Sequence, residues 1–460
     1  MSEDSPTLEK LAIVSTRFAR SVSLVRDAHC RDAIDGYILT PTGRDVLRRL
    51  TDALRGESST RAWSLTGPYG SGKSAFALFA AQLLTGEEPI RQRARKFLAS
   101  ADADLSERLF GPGGPLPRNA GRLCPVLVIG SRQPLEKALA ASLAASLRAM
   151  ATCGRPHQIV ERLERLAGEE APSGTAVVGL FEEANDYLER FGKDAAGILL
   201  IVDELGKFLE YGASHPDRGD VFVLQELAEF ATRSKRPFLF LTILHQALDR
   251  YADHMSPRRR AEWAKVQGRF EDVAFEERTD QILRLLPHAI RQEGEDTHLK
   301  LLRRQAKALA QEVVALGVRS GSMPAAELQE GLTACYPLHP LTALVLGPLF
   351  RRLAQNERSL FAFLASSEPF GFQEFLRENT LKGGPYRLDR LYDFNASVTS
   401  LPRYDVSYPA GWIRYIARIT RDEVEMHMLD SLPRDHSNIN AYVVSTRCQI
   451  VIQEMLHPAK

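Results

Sequence analysis

Gly67-Pro68-Tyr69-Gly70-Ser71-Gly72-Lys73-Ser74 decides the reading of this chain. The eight residues fit G-x-x-x-x-G-K-[ST] in full. A loop of this composition can wrap a polyphosphate with its backbone N–H groups, because glycines allow close approach and unusual dihedrals. The flanks agree. RAWSLT at 61–66 is a short apolar run suited to a buried strand, and a helix is expected from about Lys73 through AFALFAAQLL. Strand, loop and helix in that order is the context the motif requires, and it weighs against a chance glycine-rich turn. The helix adds its positive N-terminal end to the cradle.

From these residues we expect ATP bound along residues 67–74, with Lys73 reaching the β- and γ-phosphates and Ser74 holding Mg2+. The second half of such a site is expected at another strand end. GILLIV at 197–202 has the composition of a strand buried on both faces and runs directly into Asp203-Glu204. A parallel sheet places its ligands at the carboxyl ends of its strands. Asp203 there can hold Mg2+ and Glu204 can activate the attacking water, so Glu204 is the candidate catalytic base. The competing reading is a solvated acidic turn, which the complete loop motif disfavours.

CPVLVIG at 124–130 and FLFLTIL at 238–244 are two further strands. Strands alternating with helices predict an α/β fold with a parallel sheet flanked by helices. Thr242, His245 and Gln246 fall near the end of the last strand. If that strand lies beside the loop strand, a polar residue there can sense the γ-phosphate. Thr242 is the candidate, weighed equally against a β-branched core residue, while His245 is read as a strand-end histidine satisfied by its surroundings. The long gap between Ser74 and Asp203 implies an insertion, helical by pattern over 134–190 with breaks near 154–156 and 172–174. Beyond about residue 276 the strand signals fade and helical patterns take over.

The chain has 460 residues, 44% hydrophobic and 25% charged, with a formal net charge of +1. That length suggests two or three domains at roughly 150 residues each. Near-neutral charge excludes a global field steering the chain to nucleic acid or membrane. Five widely spaced cysteines contain no CxxC pair, so neither a zinc site nor a disulfide framework is indicated and a reducing cytosol is expected. The polar start MSEDSPTLEK does not resemble a signal peptide. No apolar run approaches the roughly 18 residues that would span a bilayer. A cytoplasmic protein with no membrane partner is expected. The basic runs RQRARK at 91–96 and RRR at 258–260 read as solvated faces, with nucleic-acid contact the alternative.

The order GPYGSGKS, LLIVDE, FLFLTILHQ, GRFEDVAF and then helices resembles the AAA+ (additional-strand, P-loop) ATPases, closest to their initiator branch. The resemblance implies a P-loop NTPase core followed by an all-helical lid domain. It implies an arginine finger at Arg269, in Gly268-Arg269-Phe270, and Phe275, Gln281 and Ile282 match the positions after that finger. It places a lid sensor arginine at Arg358, with Arg351 or Arg352 as alternatives. YILTPTGR, VDELGKFLEY, HQALDRYA, VQGRFED and YPLHPLTALVLGPLFRRLAQNERSLFAFL are also similar to the large ATPases of bacterial phage-defence islands of the BREX type. The likeness covers roughly residues 35–395.

The domains expected are an N-terminal lead-in over 1–60, a P-loop core with a helical insertion over 61–275, a helical lid over 276–380 and a C-terminal segment over 381–460. The last has no clean periodicity and no assigned fold; a truncated module is one reading. The expected function is Mg-dependent ATP hydrolysis driving a switch or remodelling motor in a multi-protein system such as phage defence. A homo-oligomer or a larger defence complex is the expected assembly. A DNA-associated initiator or loader ranks second, since the tail offers no convincing basic recognition helix. A small-molecule P-loop kinase ranks third, since it does not need the Asp203-Glu204 pair. A GTPase is disfavoured by the lack of N-K-x-D, an ABC ATPase by the lack of L-S-G-G-Q, and a DEAD-box helicase because Asp203-Glu204 continues Leu-Gly-Lys.

Overall fold

A computed structural model of the chain describes residues 6–14, 22–68, 70–116, 121–150, 157–191, 195–215, 222–246, 263–315, 317–321, 323–353, 360–388, 390–391, 393–394 and 424–425. The chain divides into two compact units, one of Ser21–Glu276 and one that joins Met1–Arg20 to Glu277–Lys460. The lead-in segment is therefore shared between them. Strand β1 (Ala12–Val14) belongs to the second unit, and the stretch from α1 (Leu24–Asp27) onward belongs to the first.

In the first unit, helix α2 (Pro41–Leu54) opens on Thr40, whose side chain accepts from the Gly43 N–H at 3.1 Å, with Pro41 at the first helical position. Both features favour a helix start. Val46, Leu47 and Leu50 share one face and are fully buried. Each such burial contributes about 1.5–3 kcal/mol relative to exposure. They pack with Trp63 and Phe76, so the second half of the lead-in belongs to the sheet's core.

That sheet has five parallel strands: β2 (Ala62–Thr66), β3 (Arg122–Ile129), β4 (Ala195–Asp203), β5 (Phe238–Leu244) and β6 (Glu271–Ala274), in the order β3-β4-β5-β2-β6. All seven residues of β5 and all five of β2 are buried, as expected of strands covered on both faces. The fifth strand was not expected. It is short, lies at the edge and alternates buried with accessible positions, so EDVA carries no apolar run. It is tied to the unit by Glu271, which accepts from Trp63 Nε1 at 3.1 Å and pairs with Arg49.

Helices cover the sheet. α3 (Lys73–Thr85) follows β2, and α4 (Glu88–Ala101) and α5 (Ala103–Phe110) fill the stretch that has no clear pattern in the sequence. The insertion contains α6 (Leu135–Met150), α7 (His157–Gly168) and α8 (Gly174–Phe191); the break expected near 172–174 separates α7 from α8, and the one expected near 154–156 lies outside the described residues. α9 (Leu205–Ser214) and α10 (Phe222–Arg233) separate β4 from β5. One core joins α6, α8 and α10 to one face of the sheet, and a second joins α2, α3 and α4 to the other.

The second unit contains α11 (Thr279–Ala289), α12 (Asp296–Ala315), α13 (Ala325–Ala334), α14 (Pro340–Leu353), α15 (Leu360–Ala365) and α16 (Phe372–Glu378). It is not all-helical. β1 pairs antiparallel with β7 (Ile290–Gln292), Ala12 opposite Gln292 and Val14 opposite Ile290. Helix α11 ends because Ile290 takes up extended dihedrals and the chain continues as a strand. Leu8, Leu11 and Ala12 from the start of the chain thereby join the core of the later helices. An aromatic cluster closes that core, with Phe363 edge-on to Tyr386 at 5.6 Å and to Phe394 at 5.0 Å. No helix among the described residues is long and apolar enough to cross a membrane.

Candidate functional site

The loop at residues 67–74 leaves the carboxyl end of β2 and opens α3. Gly67, Gly70 and Gly72 all have positive φ, at 157°, 74° and 92°. At Gly67 the demand is also steric, because a Cβ there would stand 2.7 Å from the Phe275 carbonyl oxygen. The Phe275 N–H in turn donates to Thr66 O at 2.6 Å, so the segment after β6 lies directly against the loop's first residue. Tyr69 lies outside the described residues.

Lys73 is 4% exposed. Its Nζ donates to the carbonyl oxygens of Gly67 (2.6 Å) and Pro68 (2.7 Å) and to Ser71 Oγ (3.1 Å). Burial pushes its pKa down to about 8, against the opposing pull of Asp203 and Glu276. The ammonium is thus held by the loop's own carbonyls at the start of α3. A buried cation with only neutral oxygens as ligands is poised to take an anion.

Asp203 ends β4, two strands away from the loop strand, with β5 between them. It is 4% exposed, its carboxylate accepts from the Glu204 N–H at 2.9 Å, and the nearby Ser74 side chain acts on it in the sense of a hydrogen-bond donor. Burial raises its pKa, and these hydrogen bonds and Lys73 work in the opposite sense. Ser74 and Asp203 are therefore brought together from two separate elements. Two hard oxygen donors that leave most positions to water and phosphate are the donor set Mg2+ favours. Among the described residues no three His, Cys, Asp or Glu side chains cluster as a protein-only metal cage.

Glu204 adopts a left-handed conformation, φ 53° and ψ 42°, at the junction of β4 and α9. A non-glycine residue there is strained and is held by its surroundings. Part of that hold is Gly130, at the end of β3. Its N–H donates to Asp203 O at 2.8 Å, and a Cβ on it would collide with the Glu204 backbone. The Glu204 carboxylate accepts from Lys207 Nζ at 2.5 Å, one turn along α9.

The structure places Thr242 inside the sheet. It is fully buried, pairs in register with Ser64, and lies two residues short of the strand's end with its hydroxyl 3.4 Å from Trp63 O. That is the environment of a β-branched core residue. His245 is the residue immediately after β5. Burial, and then the charges of Lys73 and Lys207, depress its pKa to about 4, so it is neutral near pH 7.

Arg269 is half exposed and pairs with Glu229 of α10 at 2.9 Å. It takes no part in the cluster around Lys73 and Asp203. Arg358 lies outside the described residues; Arg351 and Arg352 lie in α14, with only their backbone described. The basic run at 91–96 is largely engaged. Arg91 pairs with Glu88, Arg93 with Asp32 and Asp35, and Arg95 stands 4.3 Å over the Phe110 ring. The run at 258–260 is outside the described residues.

Sequence reasoning passed over Gly130, Lys207 and Glu276. A Glu–Lys pair at i,i+3 is visible in Glu204-Leu205-Gly206-Lys207. Nothing local marks Gly130 or Glu276, whose roles arise from strands remote in sequence. Comparison with protein-family models, curated proteins and solved structures returned no match for this chain.

Proposed function

We propose that this chain binds ATP along residues 67–74 and hydrolyses it to ADP and phosphate. The observation that carries the proposal is the meeting of Ser74 and Asp203, from the end of the loop and the end of β4, beside the buried Lys73. A chance glycine turn has no reason to be matched by a buried carboxylate from a strand two positions away. The sheet order supports the additional-strand class of P-loop ATPase, since β5 stands between the loop strand and the acidic strand.

In this reading Lys73 leaves the carbonyls of Gly67 and Pro68 for the terminal phosphates. Ser74 and Asp203 hold Mg2+, which supplies charge neutralisation on the phosphate oxygens. Glu204 takes the proton of the attacking water as the water oxygen bonds to the γ-phosphorus and the bond to the β-phosphate oxygen breaks. His245, neutral at the end of the middle strand, is better sited than Thr242 to contact the terminal phosphate or the water. The helical second unit and Arg269 fit an AAA+ switch or remodelling motor within a multi-protein assembly, phage defence being the setting the resemblance suggests.

The test is nucleotide titration of the parent and of Lys73→Ala, with turnover measured in the same samples. The parent should bind ATP and release phosphate only with Mg2+ present. Lys73→Ala should lose tight binding, because the cation that bridges the phosphates is gone. Full-strength binding by Lys73→Ala would remove the assignment of residues 67–74.

A further inference from the structure

Lys300, Arg303, Arg304 and Lys307 fall within about two turns of α12, and all four are exposed. At about 3.6 residues per turn they share an arc of about 100°, and Lys300 and Lys307 lie about 10 Å apart along the axis. The helix has its apolar residues elsewhere: Leu302, Ala306, Ala310 and Val313 are buried in the core of the second unit. Packing of that side fixes the cations outward. None of the four has an ion-pair or hydrogen-bond partner among the described residues. No carboxylate occurs between Asp296 and Glu312, which stand toward the two ends of the helix. Arginines on the surface helices of the first unit are treated otherwise. Arg148 pairs with Glu164, Arg162 with Glu183, Arg233 with Glu182 and Arg236 with Asp186. There the charges cancel; on α12 they add.

We propose that this face of α12 binds the phosphate backbone of a nucleic-acid duplex without reading its sequence. Cations held at helical spacing on a packed helix neutralise phosphates and release their counterions. The composition of the face selects this partner over others. A protein partner calls for an apolar, usually aromatic, centre. Leu301 is the one large apolar side chain exposed on α12. A membrane surface calls for an apolar helix face that enters the lipid, and that of α12 is already buried in the core. A single strand calls for aromatic rings on which its bases stack, and α12 has no Phe, Tyr or Trp. Charge alone remains, which suits the regular backbone of a duplex. The whole chain, with a formal net charge of +1, supplies no such attraction, so the surface is local. It stands apart from residues 67–74 and does not rest on the ATPase reading.

The experiment measures binding of the full chain, with no nucleotide added, to a short fluorescent DNA duplex of arbitrary sequence and to the RNA duplex of the same sequence. Fluorescence anisotropy is read across a series of salt concentrations. Four neutralised phosphates give a slope of log affinity against log salt of about −3.6 for DNA, a loss of about 10²-fold between about 50 and about 200 mM salt. Lys300→Gln with Arg304→Gln should flatten that slope by about two. Glutamine at all four positions should abolish binding at about 50 mM salt. Glutamine is a good helix former and the positions are exposed, so these variants keep the fold, which an unchanged thermal unfolding midpoint checks. Lys300→Arg with Arg304→Lys should bind as the parent does. Arg148→Gln with Arg162→Gln, which removes paired charges, should leave the slope as it is. The DNA and RNA arms identify the duplex taken. No binding of either duplex by the parent at about 50 mM salt, or an unchanged slope in the four-glutamine protein, would overturn the proposal. So would tighter binding of poly-glutamate or of anionic phospholipid vesicles that the four glutamines abolish, which would make the face a dock for an acidic protein or a membrane.

Discussion

At the scale of single residues, the candidate site is defined by two carboxylates side by side in sequence with different surroundings. Asp203 is buried against Ser74 and the start of α3, whereas Glu204 is turned by its left-handed backbone toward α9 and partly meets solvent. A buried, hydrogen-bonded carboxylate suits a cation-holding role, and an accessible one suits proton transfer to water. Glu204→Gln keeps the shape and removes the base. It should bind ATP as the parent does and hydrolyse it about 10²–10⁴-fold more slowly. Equal single-turnover rates for the two proteins would withdraw Glu204 from the reaction.

At the scale of elements, β5 is the central strand, and its register decides which side chain reaches the site. Thr66 at the end of β2 pairs with Leu244, so Thr242 is enclosed between strands and His245 emerges beyond them. The second unit has its own buried histidine. His339, between the bridge at Leu338 and the start of α14, accepts from the Leu341 N–H at 3.2 Å. Burial, and then Arg387, lower its pKa to about 4. Its folded pKa therefore lies below the ordinary 6.5. Between those values the unfolded chain binds more protons, so stability rises with pH across the window and is lost as pH falls from about 6.5 toward 4. One such group accounts for at most about 3 kcal/mol. Thermal unfolding at about pH 7 and about pH 5, which bracket the ordinary histidine range, should show a larger acid loss for the parent than for His339→Gln, whose amide oxygen can still accept from Leu341. Equal losses would show that His339 does not carry the acid sensitivity.

At the scale of the whole molecule, Arg269 bears on how chains cooperate. Within one chain it pairs with Glu229 on the surface of the first unit, apart from Lys73 and Asp203. That pair alone is worth little, about 0–1 kcal/mol. The AAA+ reading expects the guanidinium to stabilise phosphoryl charge on a neighbouring chain, an effect of about 10³–10⁵ in rate where an arginine finger acts. Specific activity should then rise with protein concentration, and Arg269→Ala should lose turnover while retaining ATP affinity. Mixing Arg269→Ala with Glu204→Gln should recover part of the activity, since a mixed interface joins an intact base to an intact arginine. No recovery, together with activity independent of concentration, would make the Glu229 pair the whole role of Arg269 and favour a switch that works as a single chain.

What the sequence determined by itself was set by local chemistry. The glycines of residues 67–74 suit a tight turn before a helix, and the long apolar runs at 197–202 and 238–244 suit strands covered on both faces. The acidic pair was legible because it breaks such a run at its carboxyl end. Tertiary structure alone decided the rest. EDVA is too short to declare itself and becomes β6 by pairing with β2. The lead-in divides because Leu8 and Leu11 find their apolar partners among the late helices, whereas Val46 and Leu50 find theirs beside Trp63. Thr242 falls opposite Ser64 within the sheet and His245 falls just past the last paired residue, Leu244, because register is a property of two strands, and one strand's pattern cannot supply it. Gly130 bears on Glu204 for the same reason: the two residues are far apart in the sequence, and only the lateral pairing of β3 with β4 brings them together.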